Sequence, residues 1–505
     1  MKQEKQSSSD TLKKELLAIS LLLGCAFSFL YYAQWLNPTF YGYDAFYHTK
    51  FIEIMREGIP RDFPWLAASM PEFNDHHFLY HVVLSLFFSP DDLLYSGKLS
   101  SVVFGTLLVL ASYFLLRLVG VERLPALLAS LLILFSSHLF LYRILLVKAN
   151  VFCLVLILMF IAALFKRHFI LASVIAFFTG WAYVGFPILM YIAVLYLLAV
   201  YVQDRTTRVI SPLVYIGFAL VLSQVLNPYF PHTFKEVFEQ LSSAGLTRNL
   251  GGGGEWRGME FGKLLRLNPI FYYFLFALPV YVLGLFSRQK SESVFGDKKW
   301  NPEAIFLILF TVTLFVLTLK HKRFIEYSLP FSLITGTYLY YLTFEKFRYG
   351  KQALIGVLLC SCCWFGWNFD EVRIKKIAGP MELSKDRYKN AAFWLQENSP
   401  KGSLVVTADW DDFPLLFFYN IHNVYLLGLD PNFLYKHDPE KYLYWKEFSK
   451  GNPNAVKDKQ KFLTTFKSNY IFLDNGHKSL SKALMHSPHY SRVYLDKHAS
   501  VFVVN

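Results

Sequence analysis

Asp44 lies in the stretch 41–60, YGYDAFYHTKFIEIMREGIP, directly after the first long apolar run. It stands three residues before Tyr47 and four before His48. A helix-like segment follows, with Phe51, Ile54 and Met55 on one face and Lys50, Glu53 and Arg56 on the other. An acid just outside a membrane span, followed by a surface-lying amphipathic helix, holds a carboxylate at the lipid–water boundary; the plainer reading is a helix N-cap. A second charged stretch, KHKRFIEYSLP, sets Lys320, His321, Lys322 and Arg323 at the mouth of another apolar run, with Glu326 one turn on. Such a cluster suits a phosphate or pyrophosphate at the membrane surface, the alternative being a structural Arg323–Glu326 pair. Arg143 and Lys148 sit at a turn between two runs, where basic residues are costly unless they face a cavity, an anion or lipid headgroups.

Three further groups have chemical potential. Asn74, Asp75, His76, His77 and His81 precede or open a short apolar helix; the set could ligate a metal, but the spacing fits a polar helix start better. Four glycines at 251–254 are followed at once by Glu255, Trp256 and Arg257. No strand precedes them and no Lys-Ser/Thr closes them, which excludes a P-loop and leaves a lid over substrate or a simple tether. An acidic turn, Asp409-Trp410-Asp411-Asp412, follows the strand-like SLVVT.

The elements that must place these residues are mostly apolar. Of 505 residues 54% are hydrophobic and only 17% charged, the composition of a polytopic helical membrane protein. About eleven spans are expected, at roughly 14–35, 98–117, 124–143, 149–166, 169–186, 187–203, 209–227, 269–287, 303–320, 324–344 and 352–369. The run at 78–88 is too short and is expected as an outer-surface helix. The five cysteines all fall in apolar runs and suggest neither disulfides nor a metal site. The net charge of +13 lies mainly beside the spans, so orientation and anionic lipid account for it and nucleic acid is not an expected partner. Basic loops such as Lys166–Arg167, Arg205 with Arg208, Arg288 with Lys290, Lys298 and Lys299, and Lys346 with Arg348 and Lys351 alternate along the chain with less basic ones. The positive-inside rule then puts the N-terminus in the cytoplasm of a plasma (inner) membrane protein. It puts the outer loops 36–97 and 228–268, the Lys320–Arg323 turn and everything after about 370 on the opposite face. Residues 1–370 are the expected membrane domain, and 371–505, with a helix through NAAFWLQEN and strands in NYIFLD and RVYLDKHASVFVVN, a small extracytoplasmic α/β domain.

Together these stretches resemble the glycosyltransferases of the GT-C superfamily, the oligosaccharyltransferase catalytic subunits above all, and more distantly the protein O-mannosyltransferases and lipid A aminoarabinose transferases. Asp44 in GYDAFYH resembles the catalytic acid of their first outer loop. Arg323 in KRFIEYSLP is similar to the arginine that contacts the lipid-linked donor's phosphate. WLQENSPKGSLVVTADWDDFP has the layout of the helix, strand and Trp-Trp-Asp acceptor motif, with Trp410 and Asp411 in its place, and Glu255 matches the acid of their flexible outer loop. The second acid motif of the oligosaccharyltransferases is replaced by YRILLVKAN, leaving Asp44 as the ligand of any divalent cation (Mg²⁺ or Mn²⁺). WDD in place of their tripeptide does not imply peptide-sequon recognition.

The resemblance implies transfer of a sugar or glycan from a polyprenyl phosphate or pyrophosphate to a lipid, glycan or protein acceptor at the outer face. Asp44 would be the general base or orient the acceptor. Arg323, with Lys320, Lys322, Arg143 and Lys148, would stabilise the departing phosphate; Glu255 would close with its loop, and Trp410 and Asp411 would face the acceptor. Two rivals remain at this stage. A transporter or flippase of a charged lipid-linked sugar would move labelled lipid across vesicles. A non-catalytic scaffold would bind lipid-linked sugar without turnover.

Overall fold

The computed structural model describes residues 2–204, 210–238, 256–289, 301–345, 347–367, 384 and 386–505. Glu255, the glycines at 251–254, the basic residues Arg205, Arg208, Lys290, Lys298, Lys299 and Lys346, and the expected domain boundary near 370 lie outside them.

Each of the expected spans is helical, but their lengths differ from a set of uniform crossings. Asp10–Trp35, Leu93–Leu118 and Pro302–Lys320 are long and apolar enough to cross a membrane. Two more runs qualify only as bent pairs, Arg123–Phe135 with His138–Leu145 at 84° and Phe261–Leu267 with Ile270–Gly284 at 107°. Several others, among them Ala149–Phe165, Phe169–Ala182 and Ile188–Gln203, form apolar helices of 10–17 residues. The apolar window that suggests one straight span at 124–143 is interrupted at Ser136–Ser137, where Ser137 leaves helical geometry and its side chain accepts from the Phe140 N–H at 3.3 Å. The second break, at Asn268–Pro269, meets the first: Ser137 Oγ donates to Asn268 Oδ1. The two bends are thereby tied together inside the bundle, satisfying polar groups that hydrocarbon would leave unpaired.

The Asp44–Met55 helix departs from the surface-lying expectation. Ala45, Phe46, Tyr47, His48, Thr49, Phe51 and Ile52 are all buried in it, and only its C-terminal end keeps a solvated side, where Lys50 and Glu53 pair at 2.6 Å. The short helix Phe78–Leu84 is likewise no surface helix, since Tyr80 and His81 are fully buried.

After 386 the chain forms the expected mixed domain. The helix Lys389–Asn398 is followed by β1 (Leu404–Thr407), β2 (Val424–Tyr425), β3 (Tyr470–Asp474), β4 (Tyr490–Leu495) and β5 (Ala499–Val504). They make one sheet in the order β2-β1-β3-β5-β4, with β2, β1 and β3 parallel and β5 antiparallel to both β3 and β4. The helix Phe413–Tyr419 lies against Asp44–Met55: Phe418 meets Phe46 edge-on at 5.3 Å, and Phe417 lies 6.1 Å from Tyr47 and 5.2 Å from Phe63. Trp65 Nε1 donates to the Ile421 carbonyl at 2.8 Å. Phe46, Phe413 and Phe417 are at most 1% exposed, so each contributes about 1.5–3 kcal/mol of burial to holding the sheet domain over the helix that carries Asp44.

The acidic turn belongs to this domain. Asp412 is buried, its Oδ2 has no hydrogen-bond partner, and burial followed by the nearby Asp409 and Asp474 carboxylates pushes its ionisation well above the usual carboxylate range. An acid whose folded-state pKa is raised stabilises the fold fully below the unfolded value near ~4 and loses that contribution as pH rises toward the folded value. Asp412→Asn, uncharged and of equal size, should therefore lose less thermal stability than the wild type between pH 5 and pH 8. Melting curves with the same pH slope in both proteins would refute this.

Candidate functional site

A cavity of about 240 Å³ opens where the helical body meets the sheet domain. Asp44, Arg143, Lys148, Arg323 and Trp410 all line it, so five residues singled out by their sequence context converge from separate parts of the chain.

Asp44 is not the N-cap of its helix. Tyr43 holds that position without a side-chain cap bond, and Asp44 is the first helical residue, where the positive end of the helix dipole favours its charge. Its Oδ2 pairs with Lys148 Nζ. Lys148 is itself the extended residue that opens the Ala149–Phe165 helix, which aims its side chain back toward Asp44. Gly42 turns the chain into this geometry with φ of +74°, and a Cβ there would lie 2.7 Å from Leu146 Cδ2. Gly42→Ala should cost about 1–2 kcal/mol for the left-handed backbone alone. It should also displace Asp44 and Lys148 together; a thermal scan on that variant checks the cost.

Arg143 ends the short helix created by the Ser136–Ser137 break, and its Nε donates to Glu326 Oε1 at 3.1 Å. The alternative reading of an Arg323–Glu326 pair is not met: Glu326 pairs with Arg143. The reason is local: Lys322–Phe324 forms a 3₁₀ turn before the Ile325–Phe344 helix begins, so Arg323 does not continue the helix that carries Glu326. Arg323 Nη2 instead donates to Tyr183 Oη at 2.9 Å, and its guanidinium lies 4.8 Å above the Trp256 ring. Trp256 is fixed in turn by its carbonyl, 2.9 Å from His321 Nδ1.

Lys320 and Lys322 do not line the cavity. Lys320 ends the Pro302–Lys320 helix exposed, and the Lys322 N–H donates to the Arg257 carbonyl at 3.1 Å, bracing the turn. Asp411 is not among the cavity's lining residues; its N–H donates to Asp409 Oδ1 at 3.3 Å within the acidic turn. Glu255 adjoins the described Trp256 but lies outside the described residues. Asp75, His76, His77 and His81 make no metal cluster; among the described residues no three His, Cys, Asp or Glu side chains are grouped to hold an ion. Asp44 faces the Lys148 ammonium, while Glu236, Glu326 and Asp430 line the same cavity.

Several lining residues carried little sequence signal. Tyr47 and His48 are exceptions: their spacing from Asp44 is visible in the sequence, and both share its helix and line the cavity. Glu236 reaches in from the segment after Asn227, accepting from Asn74 Nδ2 and lying 3.3 Å from His76 Nδ1. Burial opposes protonation of His76, yet the Glu236 carboxylate holds its pKa above the ordinary value. The sheet domain supplies Leu429, Asp430, Asn432, Phe433 and Lys436, whose only local signal is the Asp430-Pro431 helix start, with Asp430 accepting from the Asn432 N–H at 2.8 Å.

No protein-family model and no curated protein sequence matches the chain. Solved structures do match it in fold. The Archaeoglobus fulgidus oligosaccharyltransferase in its apo form superposes with a TM-score of 0.61 at 12% identity, over 91% of this chain and 69% of that one. The same organism's oligosaccharyltransferase AglB, in complex with an inhibitory peptide and a dolichol-phosphate, gives 0.58 at 11% identity over 95% and 73%. The mycobacterial arabinofuranosyltransferase AftD gives 0.54 at 11% identity over 98% of this chain and 40% of that one. At these identities the likeness is one of fold: this chain shares its fold with the Archaeoglobus fulgidus oligosaccharyltransferase and the mycobacterial arabinofuranosyltransferase AftD.

Proposed function

We propose that the protein is a membrane glycosyltransferase that moves a sugar or glycan from a polyprenyl phosphate or pyrophosphate donor to an acceptor on the extracytoplasmic face. The observation that carries this reading is the meeting of Asp44, Arg143, Lys148 and Arg323 in one cavity roofed by Trp410 and the 429–436 segment. The fold neighbours support it, one having been solved with a dolichol-phosphate and a peptide.

Each group then has a task. Arg323, steered by Tyr183 and Trp256, stabilises the negative charge that grows on the departing phosphate, with Lys148 and the Glu326-paired Arg143 adding to the positive wall. Asp44 orients the acceptor from the first turn of its helix. The sheet domain presents Trp410 and Asn432 to the acceptor side. The outer-face assignment rests on the distribution of basic loops.

The test is to incubate the purified protein with a detergent-solubilised lipid extract of its source cells and follow polyprenyl phosphates by mass spectrometry. Release of the phosphate together with a glycosylated product is expected, and a parallel arm with chelator decides whether a cation takes part. Binding of lipid with no release would reject the transferase reading in favour of a scaffold.

A further inference from the structure

Behind the cavity lies a buried chain of three side chains. Asp75 Oδ1 accepts from the His77 N–H at 3.0 Å, and its Oδ2 is 2.8 Å from His81 Nδ1. His81 Nε2 is 2.7 Å from His48 Nδ1. Asp75 and His81 are at most 2% exposed and His48 is 4% exposed. Tyr80, His77 and Tyr47 enclose the His48 ring, at 5.2–5.3 Å between centroids.

The hydrogen bonds fix the tautomers. The Asp75 carboxylate accepts, so the His81 proton sits on Nδ1 and leaves its Nε2 bare. That bare nitrogen accepts, so the His48 proton sits on Nδ1 and its own Nε2 carries a lone pair. His48 lines the cavity, and its Nε2 has no hydrogen-bond partner among the described residues. Four residues apart on one helix, Asp44 and His48 present side chains to the same face.

We infer that His48 is the general base of the proposed transfer, held in its basic tautomer by the Asp75–His81 pair, and that the acceptor nucleophile is therefore a hydroxyl. This rests on the transferase reading. As the acceptor oxygen forms its bond to the anomeric carbon, the bond from that carbon to the phosphate oxygen breaks and its electron pair leaves with the phosphate. The hydroxyl proton passes to His48 Nε2. The Asp75 carboxylate, reached through His81, stabilises the imidazolium that results. Either acceptor loses a proton as it bonds, but an alcohol oxygen attacks with a free lone pair once an imidazole takes that proton, whereas a carboxamide nitrogen's lone pair is delocalised into its carbonyl and a base alone does not free it. Burial, then the neighbouring His81, Lys148 and His76, hold the resting His48 well below the usual histidine range, so it waits in the neutral form. The charged or titratable groups around it are Asp44 and Tyr47 on its own helix, His76, His77, Tyr80 and His81 from the facing segment, and Lys148 at the cap of the Ala149–Phe165 helix.

The experiment compares wild type, His48→Gln, His48→Ala and Asp75→Asn in the lipid-extract assay, with binding of a fluorescent polyprenyl phosphate as the control for folding. His48→Gln is expected to lower turnover by about 10²-fold with binding unchanged. Added imidazole should restore part of the rate to His48→Ala. Asp75→Asn should slow turnover by about tenfold and move the acid limb of the pH–rate profile to lower pH, because the imidazolium loses its carboxylate. The product should carry its new sugar on oxygen. Full turnover by His48→Gln, no imidazole rescue, or a product glycosylated on nitrogen would each overturn the inference while leaving the transferase reading in place. No turnover by the wild type would remove both.

Discussion

Replacing Arg323 by alanine is expected to cut release of polyprenyl phosphate by about 10²–10³-fold, the usual consequence of deleting one preorganised donor from the site of developing negative charge. The structure makes Arg323 a demanding position. Its guanidinium donates to Tyr183 at one edge and lies 4.8 Å from the centre of the Trp256 ring, two constraints that a planar fork satisfies together more readily than an ammonium. Arg323→Lys should therefore recover only part of the rate, although the charge is kept. Trp256→Ala and Tyr183→Phe should each cost less than the arginine, about tenfold, since they loosen the group without removing it. Turnover and fluorescent polyprenyl phosphate binding, measured on all four variants, give the check. An alanine variant that turns over like the wild type would end the assignment, and a lysine variant with full activity would show that charge alone matters there.

Much of this site was legible because charge is expensive in an apolar sequence. Arg143, Lys148 and Arg323 stand at the ends of runs where a cation needs a cavity or a counter-charge, and all three line the same cavity. The sheet domain was legible for a different reason: its strands are short, β-branched and bounded by turn residues. What the sequence hid were breaks and partners. A hydropathy window sums composition and cannot register that Ser137 interrupts the helix, though that interruption brings Arg143 to the cavity. The same blindness left an Arg323–Glu326 pair open as an alternative, because three-residue spacing implies contact only on a continuous helix. Lys320, Lys322 and Asp411 stand beside residues that line the cavity yet do not line it themselves, placed at the end of a helix, in a 3₁₀ turn and in a turn N-capped by Asp409. Tyr183, Glu236 and Asn432 come from distant segments with no charge anomaly or spacing rule to connect them. Only the packed chain brings them together.

Asp44→Asn should separate binding from chemistry, and the direction follows from the Lys148 pair. In the wild type the carboxylate offsets the ammonium, with both side chains about one-third exposed, 31% and 29%. The asparagine keeps the shape and a carbonyl acceptor for Lys148 but leaves the cavity one unit more positive. Two unit charges 4 Å apart at an effective dielectric near 20 interact by about 4 kcal/mol, and solvent at this partly open site reduces that several-fold. The variant should therefore bind polyprenyl phosphate as tightly as the wild type or up to about tenfold more tightly. Its turnover should nonetheless fall by about 10³-fold, since the group that orients the acceptor is gone. Lys148→Met on the same background should abolish the gain in binding and restore no activity. A scaffold that merely holds a lipid phosphate would show the same change in binding but no activity to lose in either protein. If Asp44→Asn instead weakens binding and leaves turnover intact, the carboxylate is holding Lys148 in place for the donor, and the acceptor must be oriented by His48 and the sheet domain.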